Sequence, residues 1–251
     1  MKELKVAIKA AKESGKILDK YFRANLNVDI KDDKTPVTLA DKESENKIVS
    51  IIKSFFPEHN FLGEEFSYEK TKSEFTWIID PLDGTKCFVH GLPFFANCIG
   101  LEKNGEIILG TIYMPAMNLF AYAEKGKGTF INEKKVRVSD VKTLENAFAV
   151  FGDVDEPFRN DYGKEFLQLL RKCQGHRGYG DAIGYILVAQ GYADIFLDSP
   201  KPWDVAAAKI IIEEADGKFT DFKGKSTIYS NHTIATNGKV HEEVIKILAR
   251  K

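Results

Sequence analysis

Apolar residues at Leu4, Ile8, Ala11, Gly15, Leu18 and Phe22 recur at helical spacing and predict an amphipathic first helix of about five turns. A second helix is expected to begin near Thr38, where "TLAD" fits the S/T-x-x-D/E capping box; Ser44, Ile48, Ile51 and Phe55 line one face and Pro57 stops it. From Thr76 to Ile131 the pattern changes to short β-rich runs: "TWIID", "FFANCIGL", "EIILGTIYM", "LFAYAEK" and "GTFIN". These predict a five-stranded antiparallel meander, with Asn104-Gly105 as a tight hairpin between its second and third strands. Beyond residue 145 helices are expected at 161–172, 181–190, 203–215 and 239–250, separated by short strands such as "ADIFLD" and "GKFTDF". The chain therefore reads as α/β (α+β), with an N-terminal lobe over 1–145 and a C-terminal α/β lobe over 146–251. No flexible linker, low-complexity tract or repeat separates them, so the lobes are expected to pack together with a site in the cleft between them.

The length of 251 residues suits one large core or two packed lobes. Charge is balanced, 36 Lys and Arg against 37 Asp and Glu, and no basic stripe interleaved with aromatics stands out, which argues against nucleic acid as a partner. The N-terminal segment is charged throughout, and no apolar run approaches the roughly 18–20 residues of a membrane span. The expectation is a soluble cytoplasmic protein without membrane contact. Cys87, Cys98 and Cys173 lack CxxC spacing and read as reduced packing residues.

Candidate chemistry concentrates in acids at the ends of elements: Asp41, Glu64-Glu65, Asp80 with Asp83, and Asp204. Each has a plain alternative. Asp41 could serve only its capping box, Glu64-Glu65 could be a solvated pair, and Asp204 could be an N-cap for "VAAAKIIIEEA". "DPLDGT" is harder to dismiss, because a tight turn needs one Asx and a Gly, whereas here one carboxylate ends a strand and another sits three residues on. Two carboxylates so placed are oxygen ligands of the kind Mg²⁺ takes, and Gly84 and Thr85 add backbone N–H groups and a hydroxyl suited to phosphate. The stretch reads as a metal-phosphate site.

"GEE" at 63–65, "WIIDPLDGT" at 77–85 and "KPWDVAAA" at 201–208 resemble the three signature segments of the inositol monophosphatase family of Mg²⁺-dependent phosphomonoesterases; "TPVTLAD" at 35–41 resembles its upstream segment. The resemblance continues through "GTIYMPAMNLFAYAEKGKGTFIN" and "EEADGKFTD". It implies a layered αβαβα sandwich of the sugar-phosphatase type and two or three Mg²⁺ ions per site. Glu64, Asp80 and the Leu82 carbonyl would hold the first metal, and Asp80, Asp83 and Asp204 the second. Thr85, with Asp41 or Glu64 as its acidic partner, would position the attacking water. The family commonly forms dimers, and the meander surface, with aromatics such as Phe94, Phe95 and Phe120 near its turns, leads to the same expectation of a homodimer without showing its interface.

The substrate implied is a small phosphate ester. "GTK" followed by a small residue and Phe, and Gly180-Asp181 in "RGYGDAIGY", resemble the histidinol-phosphatase branch, whereas "FVHGLPFF" resembles inositol-type members. Asp181, with Asp198 as companion, would suit a cationic amino-alcohol phosphate such as histidinol phosphate; alternatively Asp181 only caps the helix "AIGYILVAQG". His90, within the shared "FVHG", is expected to be structural. Inositol 1-phosphate is the alternative substrate. A 3′-phosphoadenosine phosphatase ranks below it, because that branch has Glu where Cys87 stands, and last comes a non-catalytic metal- or phosphometabolite-binding protein.

Overall fold

The first helix, α1 (Lys2–Tyr21), buries Ala11, Gly15 and Leu18 of the expected face, with Leu4 and Ile8 only partly covered, and the buried face is broadened by Val6, Ala7 and Ala10. The computed structural model describes residues 1–24, 28–30 and 36–249; Thr35 of "TPVTLAD" and Arg250 of the expected last helix lie outside them. After α1 come the short strands β1 (Val28–Ile30) and β2 (Pro36–Thr38), then α2 (Leu39–Phe55), which starts in a complete capping box between Thr38 and Asp41. Next are β3 (Asn60–Gly63), β4 (Phe75–Asp83), α3 (Thr85–Val89), β5 (Ala96–Lys103), β6 (Glu106–Met114), β7 (Leu119–Glu124), β8 (Gly128–Ile131) and β9 (Lys134–Val136). The remainder comprises β10 (Phe148–Phe151), α4 (Glu156–Arg159), α5 (Gly163–Lys172), β11 (Gly175–Gly178), α6 (Ala182–Ala189), β12 (Ile195–Asp198), α7 (Pro202–Glu213), β13 (Lys218–Thr220), β14 (Thr233–Thr236) and α8 (His241–Leu248).

Strands β3 to β9 form one sheet in chain order, so the expected meander gains two strands: β3, parallel to β4, and the short β9. Asn104 and Gly105 both adopt positive φ, at 50° and 84°, as a two-residue hairpin requires. A second sheet has the order β11-β10-β12-β14-β13 and mixes parallel and antiparallel pairs. Side chains alternate faces along each strand. Trp77 and Ile79 pack on α1 and α2, while Ile78 between them meets the cluster containing α6 and α7. In the second sheet Phe196 and Ala235 face that same helical layer, and Ile195, Leu197 and Ile234 face α5 and α8. The order of layers is thus α1/α2, seven strands, α6/α7, five strands, α5/α8.

The middle layer sits unusually close to the first sheet. Gly100 and Gly110 are register partners, and a Cβ on either would lie 2.7 Å from Ala206 or Ala207 of α7. The small residues of "VAAA" and the glycine pair together allow this approach, and it brings the first turn of α7 to the end of β4.

Two expectations need correction. Phe95 is fully buried and Phe120 nearly so, while Phe94 is half-buried against the central core, so two of the three aromatics near the meander turns are core residues and not surface ones. Charge is also less evenly spread than the balance suggests: Lys2, Lys5, Lys9, Lys12, Lys16 and Lys20 are all exposed on α1, with Lys2 and Lys9 over the Phe55 ring and Lys12 over Phe120. A basic stripe beside aromatics is present after all. Among the described residues no helix is long and apolar enough to cross a membrane.

Candidate active site

"DPLDGT" is not a turn that ends a strand, because β4 runs on through Asp80, Pro81 and Leu82 to Asp83. Asp80 pairs with Cys98 and Asp83 with Ala96, so three steps on β4 oppose two on β5. This one-residue bulge has a specific consequence. Residues 80 and 83 of a regular strand would point to opposite faces; the extra residue puts both carboxylates on the face of Cys98 and Ala96, toward α6 and α7. Pro81 falls in the bulge, where it has no N–H to leave unpaired, and its carbonyl accepts from Ser44 of α2 at 2.9 Å. Gly84 then takes φ 78°, and α3 begins at Thr85.

A cavity of about 310 Å³ opens at this point. Of the residues singled out in the sequence, Glu64, Asp80, Leu82, Asp83, Gly84, Thr85, Asp181, Asp198 and Asp204 line it, together with Lys86, Ser199, Pro200, Lys201 and Trp203. Asp41 lies behind Thr85. Its Oδ2 accepts from the Thr38 amide and hydroxyl, both at 2.7 Å, while Oδ1 is 3.4 Å from Thr85 Oγ1. The cap and the contact with the site are therefore compatible, each using one oxygen. Thr85 Oγ1 also donates to the Leu82 carbonyl at 2.9 Å. His90, exposed at the end of α3, is not in the lining.

Asp204 is the third residue of α7, not its N-cap; its carboxylate accepts from the Lys201 amide at 2.7 Å. Asp181 precedes α6 but makes no capping bond, and its backbone holds φ 61°, which a side-chain-bearing residue rarely adopts. The α6 terminus is capped instead from the other sheet, by Asp83 Oδ2 accepting from the Ala182 amide at 2.6 Å. Cys87 Sγ lies 4.0 Å from Asp181 Oδ2, and burial together with that carboxylate pushes its thiol up to about 11.

Six carboxylates and two lysines face this one cavity. Burial and mutual repulsion raise Asp80 and Asp83 well above the usual carboxylate range, Asp204 to about 7 and Asp198 to about 8. Burial lifts Asp41 to about 6. Asp80 and Asp204 share a hydrogen bond, so the acids from the two structural layers are in direct contact. Among the described residues no three acidic, histidine or cysteine side chains converge closely enough to enclose an ion as they stand. The Leu82, Ala182 and Lys201 amides engage one oxygen each of Asp80, Asp83 and Asp204. The donor set nevertheless fits a hard divalent cation: it is all oxygen, strongly negative and short of internal countercharge.

Sequence reasoning missed Glu45. It is fully buried on α2, and its carboxylate accepts from the Glu65 amide (2.9 Å), the Phe66 amide (3.1 Å) and the Tyr68 hydroxyl (2.7 Å). It thereby fixes the turn that presents Glu64. Its only sequence signal is its position one helical turn after Asp41, on the same face of α2. Glu45→Gln replaces one acceptor oxygen with an NH₂ facing donors, so Mg²⁺ measured by calorimetry is expected to bind about 10- to 100-fold more weakly. Unchanged affinity would mean that Glu45 does not hold Glu64 in place.

A layered sandwich with an acid-lined cavity between its sheets defines a phosphatase class. The chain belongs to the inositol monophosphatase family, whose model matches residues 2–251, and is a phosphoric monoester hydrolase. It is 37% identical to a fructose-1,6-bisphosphatase/inositol-1-monophosphatase of Thermotoga maritima, over 99% of this chain and 96% of that protein. It is also 37% identical to a histidinol-phosphatase of Chlorobaculum parvum, over 90% and 88%. Among solved structures, the extragenic suppressor protein suhB of Bartonella henselae matches with a TM-score of 0.92 at 32% identity, covering 100% of this chain and 99% of that one.

Proposed function

We propose that the protein is a Mg²⁺-dependent phosphomonoesterase whose preferred substrate is a cationic amino-alcohol phosphate, histidinol phosphate foremost. The observation that carries the substrate choice is Asp181. It forms no capping bond, its backbone is held at positive φ, and its carboxylate faces the cavity beside Asp83, with Asp198 in the same lining. An acid left in that position facing a neutral polyol is costly to desolvate, whereas an ammonium group offsets its charge. The histidinol-phosphatase relative supports the same choice.

In this reading the site lies where the lobes 1–145 and 146–251 meet. Glu64, Asp80 and the Leu82 carbonyl would hold one Mg²⁺, and Asp80, Asp83 and Asp204 another. Bound there, the metal supplies neutralisation of the phosphate oxygens and of the leaving oxygen. The protein's own contribution to the water is Thr85, whose hydroxyl hydrogen is directed to Leu82 O and Asp41. Its lone pairs are free to orient a water hydrogen, and Asp41, at about 6, can take a proton through it near neutral pH.

A second reading, a broader sugar or polyol phosphatase, is favoured by the Thermotoga maritima relative and by Lys86 at the rim, where a second anionic group would be accepted. The two readings separate in kcat/KM for histidinol phosphate and inositol 1-phosphate. Coulomb attraction of about 4 kcal/mol at 4 Å, less desolvation, leaves an expected preference of roughly 10- to 30-fold for the cationic ester. Asp181→Ala should abolish that preference. Inositol phosphate as the better substrate, or a ratio unmoved by the substitution, would refute the choice.

A further inference from the structure

Pro81 and Leu82 fall between the ladder positions that Asp80 and Asp83 occupy opposite β5, and both are buried. They carry three backbone polar groups that the sheet leaves unpaired, and each needs a partner elsewhere. Two are satisfied within the bulge segment itself. The Leu82 amide donates to Asp80 Oδ1, and the Leu82 carbonyl accepts from Thr85 Oγ1, each at 2.9 Å. The third group, the Pro81 carbonyl, is held from outside by the Ser44 hydroxyl, also at 2.9 Å. The Pro81 carbonyl and the Leu82 amide belong to one planar peptide unit. That unit is thus gripped at both ends, its oxygen by Ser44 of α2 and its N–H by the carboxylate of Asp80.

Ser44 is itself held in place. It is fully buried, as is Ser14 of α1, and the two hydroxyl oxygens are 2.6 Å apart. The single hydrogen of Ser44 goes to Pro81, so Ser14 is the donor of this pair. A relay of hydroxyls therefore runs from α1 through α2 to the back of the bulge. The first helix lies close enough to the sheet because Gly15 has no side chain: a Cβ there would stand 2.2 Å from the Tyr113 ring. Leu18, one turn further along α1, packs in the same cluster as Leu82. On α2, Ser44 shares a face with Asp41 and Glu45, whose contacts go to Thr85 and to the turn that carries Glu64.

We infer that Ser44, held by Ser14, is a positioning residue for the acid-lined site: it locks the bulge from the α2 side of the sheet and so sets where the Asp80 carboxylate and the Leu82 carbonyl stand on the other. Its consequence for cation binding rests on the metal-dependent phosphatase reading; the lock itself does not. Neither serine lines the cavity, so both act through the backbone. Without the hydroxyl the Pro81 carbonyl is buried and unpaired, and it regains a partner only by rotating its peptide unit. That rotation takes the Leu82 N–H away from Asp80 Oδ1 and frees the carboxylate to turn. Carboxylates that ligate a metal depend on such outer hydrogen bonds for their orientation.

The test compares Ser44→Ala with Ser44→Thr, which keeps the hydroxyl. In the metal-free protein, exchange of the Leu82 amide followed by NMR should be roughly 10-fold faster in Ser44→Ala than in the parent, and within about twofold of the parent in Ser44→Thr. Calorimetry should show the Ala variant binding Mg²⁺ about 10-fold more weakly, and at saturating Mg²⁺ its kcat should fall about 10-fold with KM within about twofold. Ser14→Ala should move the same quantities about threefold and add nothing in the Ser44→Ala background, where its acceptor is already gone. An Ala variant that only melts earlier, with Leu82 exchange and Mg²⁺ affinity of the folded protein at parent values, makes Ser44 a packing residue and overturns the inference. A Thr variant as impaired as the Ala variant overturns it too. Faster Leu82 exchange in the Ala variant of a protein whose parent binds no Mg²⁺ leaves the lock standing and removes the metal reading instead.

Discussion

Protein stripped of divalent cations by exhaustive chelation is expected to release no measurable phosphate from small monoesters and to regain full turnover on addition of Mg²⁺. The physical ground is the charge of the cavity. Six carboxylates against two lysines would repel a phosphate monoester, which carries about two negative charges near neutral pH, so the substrate needs cations between itself and the acids. The same repulsion makes the metal a stabiliser. At 100 times its dissociation constant Mg²⁺ adds about 2.7 kcal/mol, or roughly 5–10 °C in Tm for a domain of this size. Turnover that survives chelation would rule out metal assistance.

Asp83→Asn should lower kcat by about 10³-fold while leaving the metal-free protein at least as stable as the parent. Asp83 is buried and its charge is opposed by Asp181 and Asp204, so the neutral amide relieves repulsion in the apo protein. The Asn oxygen still accepts from the Ala182 amide. Asp83→Ala should lose the same activity and in addition about 1 kcal/mol of stability, because the α6 terminus loses its acceptor. Kinetics and thermal melting of the two variants separate the roles of charge and cap. An Asn variant that melts far below the parent yet turns over normally when folded would make Asp83 a structural residue only.

Much of this arrangement was legible in the sequence, and the parts that were not have physical reasons. The helices of the first lobe, the meander strands and the hairpin at Asn104-Gly105 carry strong periodic or turn signals. By contrast β14 is four fully buried residues, and β10 and β11 are four-residue parallel partners, too short to show a period and joined through space by long connections. Pro81 and Asp83-Gly84 read as a turn because a bulge at a strand end uses the same residues. What separates the two is pairing with β5, a long-range fact. The acids themselves were legible because each stands at an element's end, whereas Glu45 sits inside a helix among other charged residues. Its burial depends on the turn that packs over it. Whether Asp181 caps its helix also depended on a partner from afar, since Asp83, about a hundred residues earlier, takes that bond.

The central claim is that Glu64, Asp80, Asp83 and Asp204 together bind the cation that makes this cavity a phosphatase site. Trp203 lines the same cavity and makes the claim directly measurable, through Tb³⁺ luminescence excited by energy transfer from the indole. Titration of Tb³⁺ into the metal-free protein is predicted to give saturable sensitised emission that Mg²⁺ displaces, that Trp203→Phe removes, and that Asp80→Asn and Asp204→Asn each weaken at least tenfold in Tb³⁺ affinity. Emission that persists with unchanged affinity in both acid variants would place the cation elsewhere and contradict the account.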